Sequence, residues 1–433
     1  MDCKYACGSP EHSIARRSFL GGVAAGLAGG LGAAAIGGGG LVTPAFARHL
    51  ESTQRRVLVV FLSGGVSQLE TWDPKPGTDT GGPFRAISTT VPGVHVSELL
   101  PCTARQMHHL ALVRSVNTGE NDHGKGSYLM TRGRRREAST EYPHLGAVCA
   151  KTLNPATSPL PGYIRISPGG SGGSTRDSAY LGPKYDGIVL GGGKPPRDIT
   201  RPGKLGADAD ARRNEFRRGL DERFLRRRRT AATEAYTYSY EQARRLMERR
   251  RIFDTAHEPP RDRERYGSHD FGRHCLLARR LLENGVTFVQ VSHTNYDTHF
   301  ENFNYHIEQL GEFDRPFATL IEDLHQRGIL QSTLVVVMSE FGRTPRINAT
   351  YGRDHWGKSW SVALGGCGIQ AGAVIGKTNR NGTEVADRQV DHGDLFHTYM
   401  KAVGVDSSGE FEIGGRPLPI ANPARAAIEE VLA

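Results

Sequence analysis

The sequence predicts an α/β fold: a doubly wound, mostly parallel sheet flanked by helices, with a helical insert. Three observations predict it. Short apolar, β-branched runs recur along the chain, each ending in a glycine turn or a polar cluster. In the second half these runs alternate with amphipathic segments of helical length, the pattern of parallel β-α-β units. A chain of 433 residues also leaves enough length for one large core once a leader is set aside.

The leader is read from residues 1–47. Arg16 and Arg17 stand in Ala15-Arg16-Arg17-Ser18-Phe19-Leu20 ahead of an apolar stretch from Gly21 to Leu41, and Ala45-Phe46-Ala47 offers the small-x-small pattern that a signal peptidase accepts. The expectation is a twin-arginine signal cleaved after Ala47. It implies the twin-arginine export machinery as a partner, a periplasmic or secreted mature chain over residues 48–433, and membrane contact only during export. Rich in glycine and broken by Pro44, the stretch makes a poor anchor. Export of a folded protein mildly favours a bound metal without identifying one. Of the cysteines, Cys102, Cys149, Cys275 and Cys367 would remain, with no C-x-x-C pair and three connectivities open.

The elements follow in order. Val57-Leu58-Val59-Val60-Phe61-Leu62 reads as a buried strand that stops at Ser63-Gly64-Gly65, and Leu110 to Ser115 as a second strand. Polar residues Asn117 to Gly126 lead into a helix-like Ser127-Tyr128-Leu129-Met130. From Ser158 to Gly203 glycine and proline without a clear period indicate loop with short strands, and Asp208 to Thr255 reads as continuous polar helix. Together they form the insert, about 158–257. A helix from Asp270 to Glu283, a strand from Val286 to Val291, a helix from Tyr305 to Gln326 and a strand from Thr333 to Met338 come next. Ser361 to Leu364 is a further short strand and Leu395 to Val403 a further helix. The net charge is +9, and much of the excess lies between Arg212 and Arg251. Such a run could meet nucleic acid, an anionic polymer or an acidic membrane. Its interleaved Glu and Asp favour a solvated helix, so no nucleic acid is expected.

In open parallel sheets the ligand crevice lies outside the carboxyl ends of the strands. The residues there are polar: Asn121-Asp122-His123-Gly124, then Ser292 to His299 with Asp297 and His299, then Ser339-Glu340-Phe341-Gly342-Arg343-Thr344-Pro345, then Gly352-Arg353-Asp354-His355-Trp356. Mixed carboxylate and imidazole suits zinc, manganese or iron, which can polarise a phosphate or sulfate ester and activate a nucleophile. Arg343 and Arg353 would suit an anionic group. His392, in Asp391-His392-Gly393-Asp394, is a further ligand candidate, whereas Asp394 reads as the cap of the last helix. Singly, each has a plainer reading as a cap, a turn or a paired surface group; their repetition at successive strand ends points to metal.

Those motifs, together with Leu62-Ser63-Gly64-Gly65 and Asp73-Pro74-Lys75-Pro76, occur in an order that resembles a bacterial family of twin-arginine-exported, sulfatase-like proteins, domain-of-unknown-function family 1501, within the alkaline phosphatase and sulfatase superfamily. The likeness spans nearly all of residues 48–433. It implies an alkaline phosphatase/sulfatase-like sheet with metal ligands at strand ends. Asp297 and His299 would form one ligand pair, with Glu340, Asp354 and His355 as later ligands and Asp73 in the first-strand role. The implied cofactor is a divalent metal (zinc, manganese, calcium or iron). The implied activity is extracytoplasmic hydrolysis of an anionic ester, including sulfated polysaccharide. The chain departs from sulfatases in having no Cys-x-Pro-x-Arg, so a formylglycine mechanism is not expected, and His123 or Ser127 would be the nucleophile. Two other readings stay open: a non-catalytic member of the fold that binds a polyanion or partner protein, and a phosphomutase or transferase.

Overall fold

The computed structural model describes residues 54–433 apart from 156–157, 171, 197–198 and 228–230, so the expected leader lies outside the described residues. All seven residues of strand β1 (Arg56–Leu62) are buried. Successive side chains of a strand point to opposite faces. Val57, Val59 and Phe61 therefore enter one apolar cluster, and Leu58, Val60 and Leu62 enter another on the far side. A strand buried on both faces belongs in the middle of a sheet.

Around β1 lie β2 (Leu110–Val116), β3 (Tyr163–Ser167), β4 (Gly173–Ser174), β5 (Ile188–Gly191), β6 (Phe288–His293), β7 (Thr333–Met338), β8 (Trp360–Gly366) and β9 (Val374–Ile375). They form one nine-stranded sheet in the order β9-β2-β8-β7-β1-β6-β3-β5-β4. β1 pairs in parallel with β6 and β7, and β3 in parallel with β5 and β6. β8 runs antiparallel to β2 and β7, and β4 antiparallel to β5, so the sheet is mixed and mostly parallel.

Among the described residues the helices longer than four residues are α1 (His123–Arg132), α2 (Leu145–Thr152), α3 (Ala207–Arg227), α4 (Ala231–Glu248), α5 (Pro260–Tyr266), α6 (Asp270–Glu283), α7 (Asn302–Gln326) and α8 (His392–Ala402). α6 and α7 cover one face of the sheet through Phe271, Leu277, Phe313 and Phe317. α2 and α8 cover the other through Leu145, Val148, Phe396 and Tyr399.

Several boundaries differ from the sequence reading. β6 starts at Phe288 rather than Val286, because the Val286 N–H donates to Leu281 O and finishes the turn after α6. α7 begins at Asn302, one turn before Tyr305. The insert holds two helices, α3 and α4, in place of one. Asp391, not Asp394, caps α8: its carboxylate accepts from Gly393 N and Asp394 N, and the Asp394 carboxylate accepts from Asp391 N in return. Among the described residues the cysteines Cys102, Cys149, Cys275 and Cys367 are free. No helix of the described residues is long and apolar enough to cross a membrane.

The cap of α2 links local structure to acid stability. His144 Nδ1 accepts the Gly146 N–H at 2.9 Å, and its ring stacks on Tyr163 with centroids 5.2 Å apart. Burial pushes its pKa down to about 3. A proton on Nδ1 would cancel the cap, so the folded state keeps the ring neutral while the unfolded chain protonates near its ordinary value of about 6.5. The stabilisation is complete above that value and lost as pH falls toward the folded one, at up to about 1.4 kcal/mol per pH unit. Urea midpoints measured from pH 7 down to 4.5 are expected to fall less steeply for His144→Asn, which keeps a capping acceptor, than for the parent; equal slopes would refute the assignment.

Candidate metal centre

The carboxyl ends of β1, β6 and β7 and the start of α1 converge on one point. The Asp122 carboxylate caps α1 by accepting from Lys125 N at 2.9 Å, which sets His123 as the first helical residue. The turn after β1 holds Gly64, whose φ of +115° belongs to glycine, and a Cβ there would stand 2.5 Å from Asp297 N. Only glycine lets the β1 turn lie against the loop after β6. Gly64 N in turn donates to Glu340 Oε1 at 2.8 Å.

Three imidazoles face one carboxylate. His123 Nδ1 lies 2.8 Å from Glu340 Oε1, His299 Nδ1 2.7 Å from Asp354 Oδ1, and His355 Nδ1 2.7 Å from the carbonyl of Asn121. Carboxylate and carbonyl oxygens accept, so each Nδ1 carries the hydrogen and each Nε2 presents its lone pair when the ring is neutral. The three Nε2 atoms turn on Asp297: His123 at 3.2 Å from Oδ2, and His299 and His355 at 3.2 and 3.0 Å from Oδ1. His299 Nε2 and His355 Nε2 are themselves 3.0 Å apart. Lone pairs set this close to each other and to a carboxylate call for positive charge between them, either a proton on one ring or a metal ion. A cation meets that requirement, and imidazoles oriented from behind by carboxylate or carbonyl acceptors are the usual support of a metal ligand. Candidate ligand atoms of His123, Asp297 and His355 all lie within 4.8 Å of one another. Three imidazoles and a carboxylate suit zinc, manganese or iron; calcium, which takes oxygen ligands, does not fit.

The hydrogen bond to Glu340 raises the pKa of His123 against the opposing effect of burial. Burial works to raise the Asp297 carboxyl, but the hydrogen bond and charge of Arg343, with the His355 and His123 rings beside it, outweigh it and hold the group well below the usual carboxylate range.

The other expected site residues take different places. Glu340 is not positioned as a ligand: Oε1 accepts from Gly64 N and His123 Nδ1, and Oε2 accepts from Ser339 Oγ at 3.0 Å, so both oxygens are engaged behind His123. Asp354 stands likewise behind His299. Arg343 is fully buried and gives four of its five N–H groups to Asp297 Oδ1 at 2.6 Å and to the carbonyls of Gly64, Gly65 and Arg353, so it is not open to an external anion. Arg353 lies away from the imidazoles, fully buried against Glu70. Asp73 pairs with Lys75 at 2.9 Å and accepts from Thr378, so its charge is already met elsewhere. His392 is half of the α8 N-terminal turn beside Asp391 and contacts none of the three imidazoles.

Ser127 lies one helical turn after His123, on the same side of α1, and opens into an adjoining cavity of about 380 Å³. Ser63, Ser292, Thr294 and Arg165 line it as well. The hydroxyls of Ser63, Ser127, Ser292 and Thr294 make no hydrogen bond among the described residues. Arg165 keeps one arm on Asp177 at 3.2 Å, and its side chain is a third exposed. Sequence reading does not single out Arg165, which is one charge in a Gly- and Pro-rich stretch. Only the alternation of β3 shows that it shares a sheet face with Tyr163, beside the end of β6.

Comparison with known proteins gives the following. No curated protein sequence matches the chain. It is similar to the lipoteichoic acid synthase LtaP from Listeria monocytogenes at 8% identity over 86% of this chain and 76% of that one, with a TM-score of 0.38. It is similar to the PsFucS1 sulfatase from Pseudoalteromonas sp. at 12% identity over 83% and 70%, TM-score 0.38. It is also similar to the alkaline phosphatase from the Antarctic bacterium TAB5 at 13% identity over 82% and 99%, TM-score 0.36. A family model described as protein of unknown function DUF1501 matches residues 54–432, and the chain belongs to that family.

Proposed function

We propose that the protein is a metal-dependent hydrolase of phosphate or sulfate esters that works outside the cytoplasm. The observation that carries the reading is the set of three imidazoles whose Nδ1 atoms are fixed on acceptors and whose Nε2 atoms turn on Asp297. His123, Asp297 and His355 would hold the ion, with His299 Nε2 as the fourth donor. When bound, a divalent ion polarises an ester oxygen and offsets the charge that builds up in transfer of a phosphoryl or sulfuryl group.

The chain's own residues do the rest. Arg343 keeps Asp297 ionised and fixes its direction, while Glu340 and Asp354 fix the tautomers of His123 and His299. The Phe341 ring packs on His123 and His355, with centroids 4.9 and 4.5 Å away, and closes that side to water. The adjoining cavity would seat the remainder of the ester: free hydroxyls of Ser63, Ser127, Ser292 and Thr294 exchange hydrogen bonds with it, and Arg165 takes an anionic group. That chemistry suits an ester of a hydroxyl-rich molecule, sulfated polysaccharide included. The place of action rests on Arg16 and Arg17 ahead of the apolar leader.

Elemental analysis of the purified protein, beside a His123→Ala/His355→Ala variant, tests the reading. Expected is stoichiometric zinc, manganese or iron in the parent, its loss in the variant, and hydrolysis of aryl phosphate or aryl sulfate that follows metal content. Absence of metal from both proteins would sink it.

A further inference from the structure

Helix α3 is turned inside out relative to an ordinary surface helix. Its polar side faces α4: Arg217, paired within α3 with Asp221 at 2.7 Å, reaches Glu241 of α4 at 2.5 Å, and Thr237 of α4 donates to Asp221 at 3.5 Å. The groove between the two helices is lined by Asp210, Asn214, Arg244 and Met247. Three large apolar residues of α3 are on the outside, with Phe216 70%, Leu220 48% and Phe224 50% exposed. Four residues apart, they make one continuous stripe about 12 Å long at 1.5 Å per residue. A surface helix ordinarily buries such a stripe.

Basic groups border it. Arg212, Arg213 and Arg223 are exposed and stand four or seven residues from a member of the stripe, hence on the same side of the helix. Among the described residues none of the three has a carboxylate within ion-pair distance. The carboxylates Asp210 and Asp221 turn toward α4, Glu215 and Glu222 stand about a quarter-turn or more from the stripe, and Asp208, in the first turn, is exposed but not within ion-pair distance of these arginines. The outward side therefore combines aromatic and aliphatic groups with unpaired guanidinium groups.

We propose that this side of α3 lies on an anionic lipid surface, with the phenylalanines at the headgroup and acyl boundary and the arginines on lipid phosphates. Charge decides among occupants. A second copy of the chain, at net +9, would set the same arginines against each other. A soluble polyanion would satisfy the arginines but leave Phe216, Leu220 and Phe224 in water. A phosphate-bearing bilayer meets both halves, and it needs no crossing helix.

Hydrogen–deuterium exchange of the full chain gives a local readout over residues 207–227, independent of any other lipid-binding segment. Expected is slower exchange there with vesicles of phosphatidylglycerol and phosphatidylcholine, and none with phosphatidylcholine alone. The Phe216→Ser/Leu220→Ser/Phe224→Ser and Arg212→Gln/Arg213→Gln/Arg223→Gln variants should each need at least about tenfold more anionic lipid for the same protection. All six side chains are exposed, so the variants should keep the parent's melting behaviour; Arg→Lys at the same three positions should keep binding. Unchanged exchange with anionic vesicles overturns the proposal. So does protection that appears without lipid as protein concentration rises, which would identify a second copy, or protection by dextran sulfate alone.

Discussion

Arg353→Met is expected to destabilise the fold by about 3–5 kcal/mol, the range for removing one partner of a buried ion pair. Arg353 and Glu70 are both fully buried, and the guanidinium meets the carboxylate with two N–H groups at 2.8 and 3.1 Å. The remaining N–H groups go to the carbonyls of Thr344, Thr80 and Pro345. Loss of the arginine leaves an uncompensated charge on Glu70 and three unsatisfied carbonyls. Burial works to raise the Glu70 carboxyl, but the Arg353 charge outweighs it and holds it below its ordinary value. The contribution is thus present above the unfolded carboxylate pKa and fades as pH falls through the lower folded value. Urea unfolding at pH 7 checks the magnitude, and a Glu70→Leu/Arg353→Met double variant should recover part of the loss. A single variant as stable as the parent would show that the pair does not hold these loops together.

Gly64→Ala should act on the site. With φ at +115° and a Cβ 2.5 Å from Asp297 N and 2.8 Å from Tyr296 N, the added methyl must push the loop after β6 away from β1. Asp297 then leaves the imidazoles, and Gly64 N leaves Glu340. A displacement of about 1 Å at a reacting centre can cost roughly a hundredfold in rate, and metal retention should fall with it. Metal content after dialysis and ester turnover, measured on the same sample, give the result. Full metal and full turnover would mean that the β1 turn does not position the centre.

Much of this fold was legible in the sequence because its strands announce themselves. Val57 to Leu62 and Thr333 to Met338 are unbroken apolar runs, and both are central strands. Direction was not legible: Ser361 to Leu364 reads the same either way, and β8 runs antiparallel to its neighbours. The eight residues of α2 are too few to show a helical period, and it went unread. At the site, the polar strand ends named the segments that converge. Which residue faces the centre and which stands behind it depends on a few ångström of backbone placement. Glu340 and Asp354 carry the same carboxylate as Asp297, yet they accept from the back of an imidazole. Asp73 and His392 look no different on paper, and the chain carries them elsewhere.

The centre is also spread widely along the chain: His123 meets Glu340 across 217 positions and His355 meets Asn121 across 234. No short fragment of the polypeptide contains it. An ion that binds there recognises the assembled sheet and ignores the unfolded chain, so its affinity is added to global stability, by about 2.7 kcal/mol at a hundredfold excess over Kd. On the proposed reading, occupancy would certify completed folding, because a chain with β1 or β7 out of register would have nowhere to keep a metal.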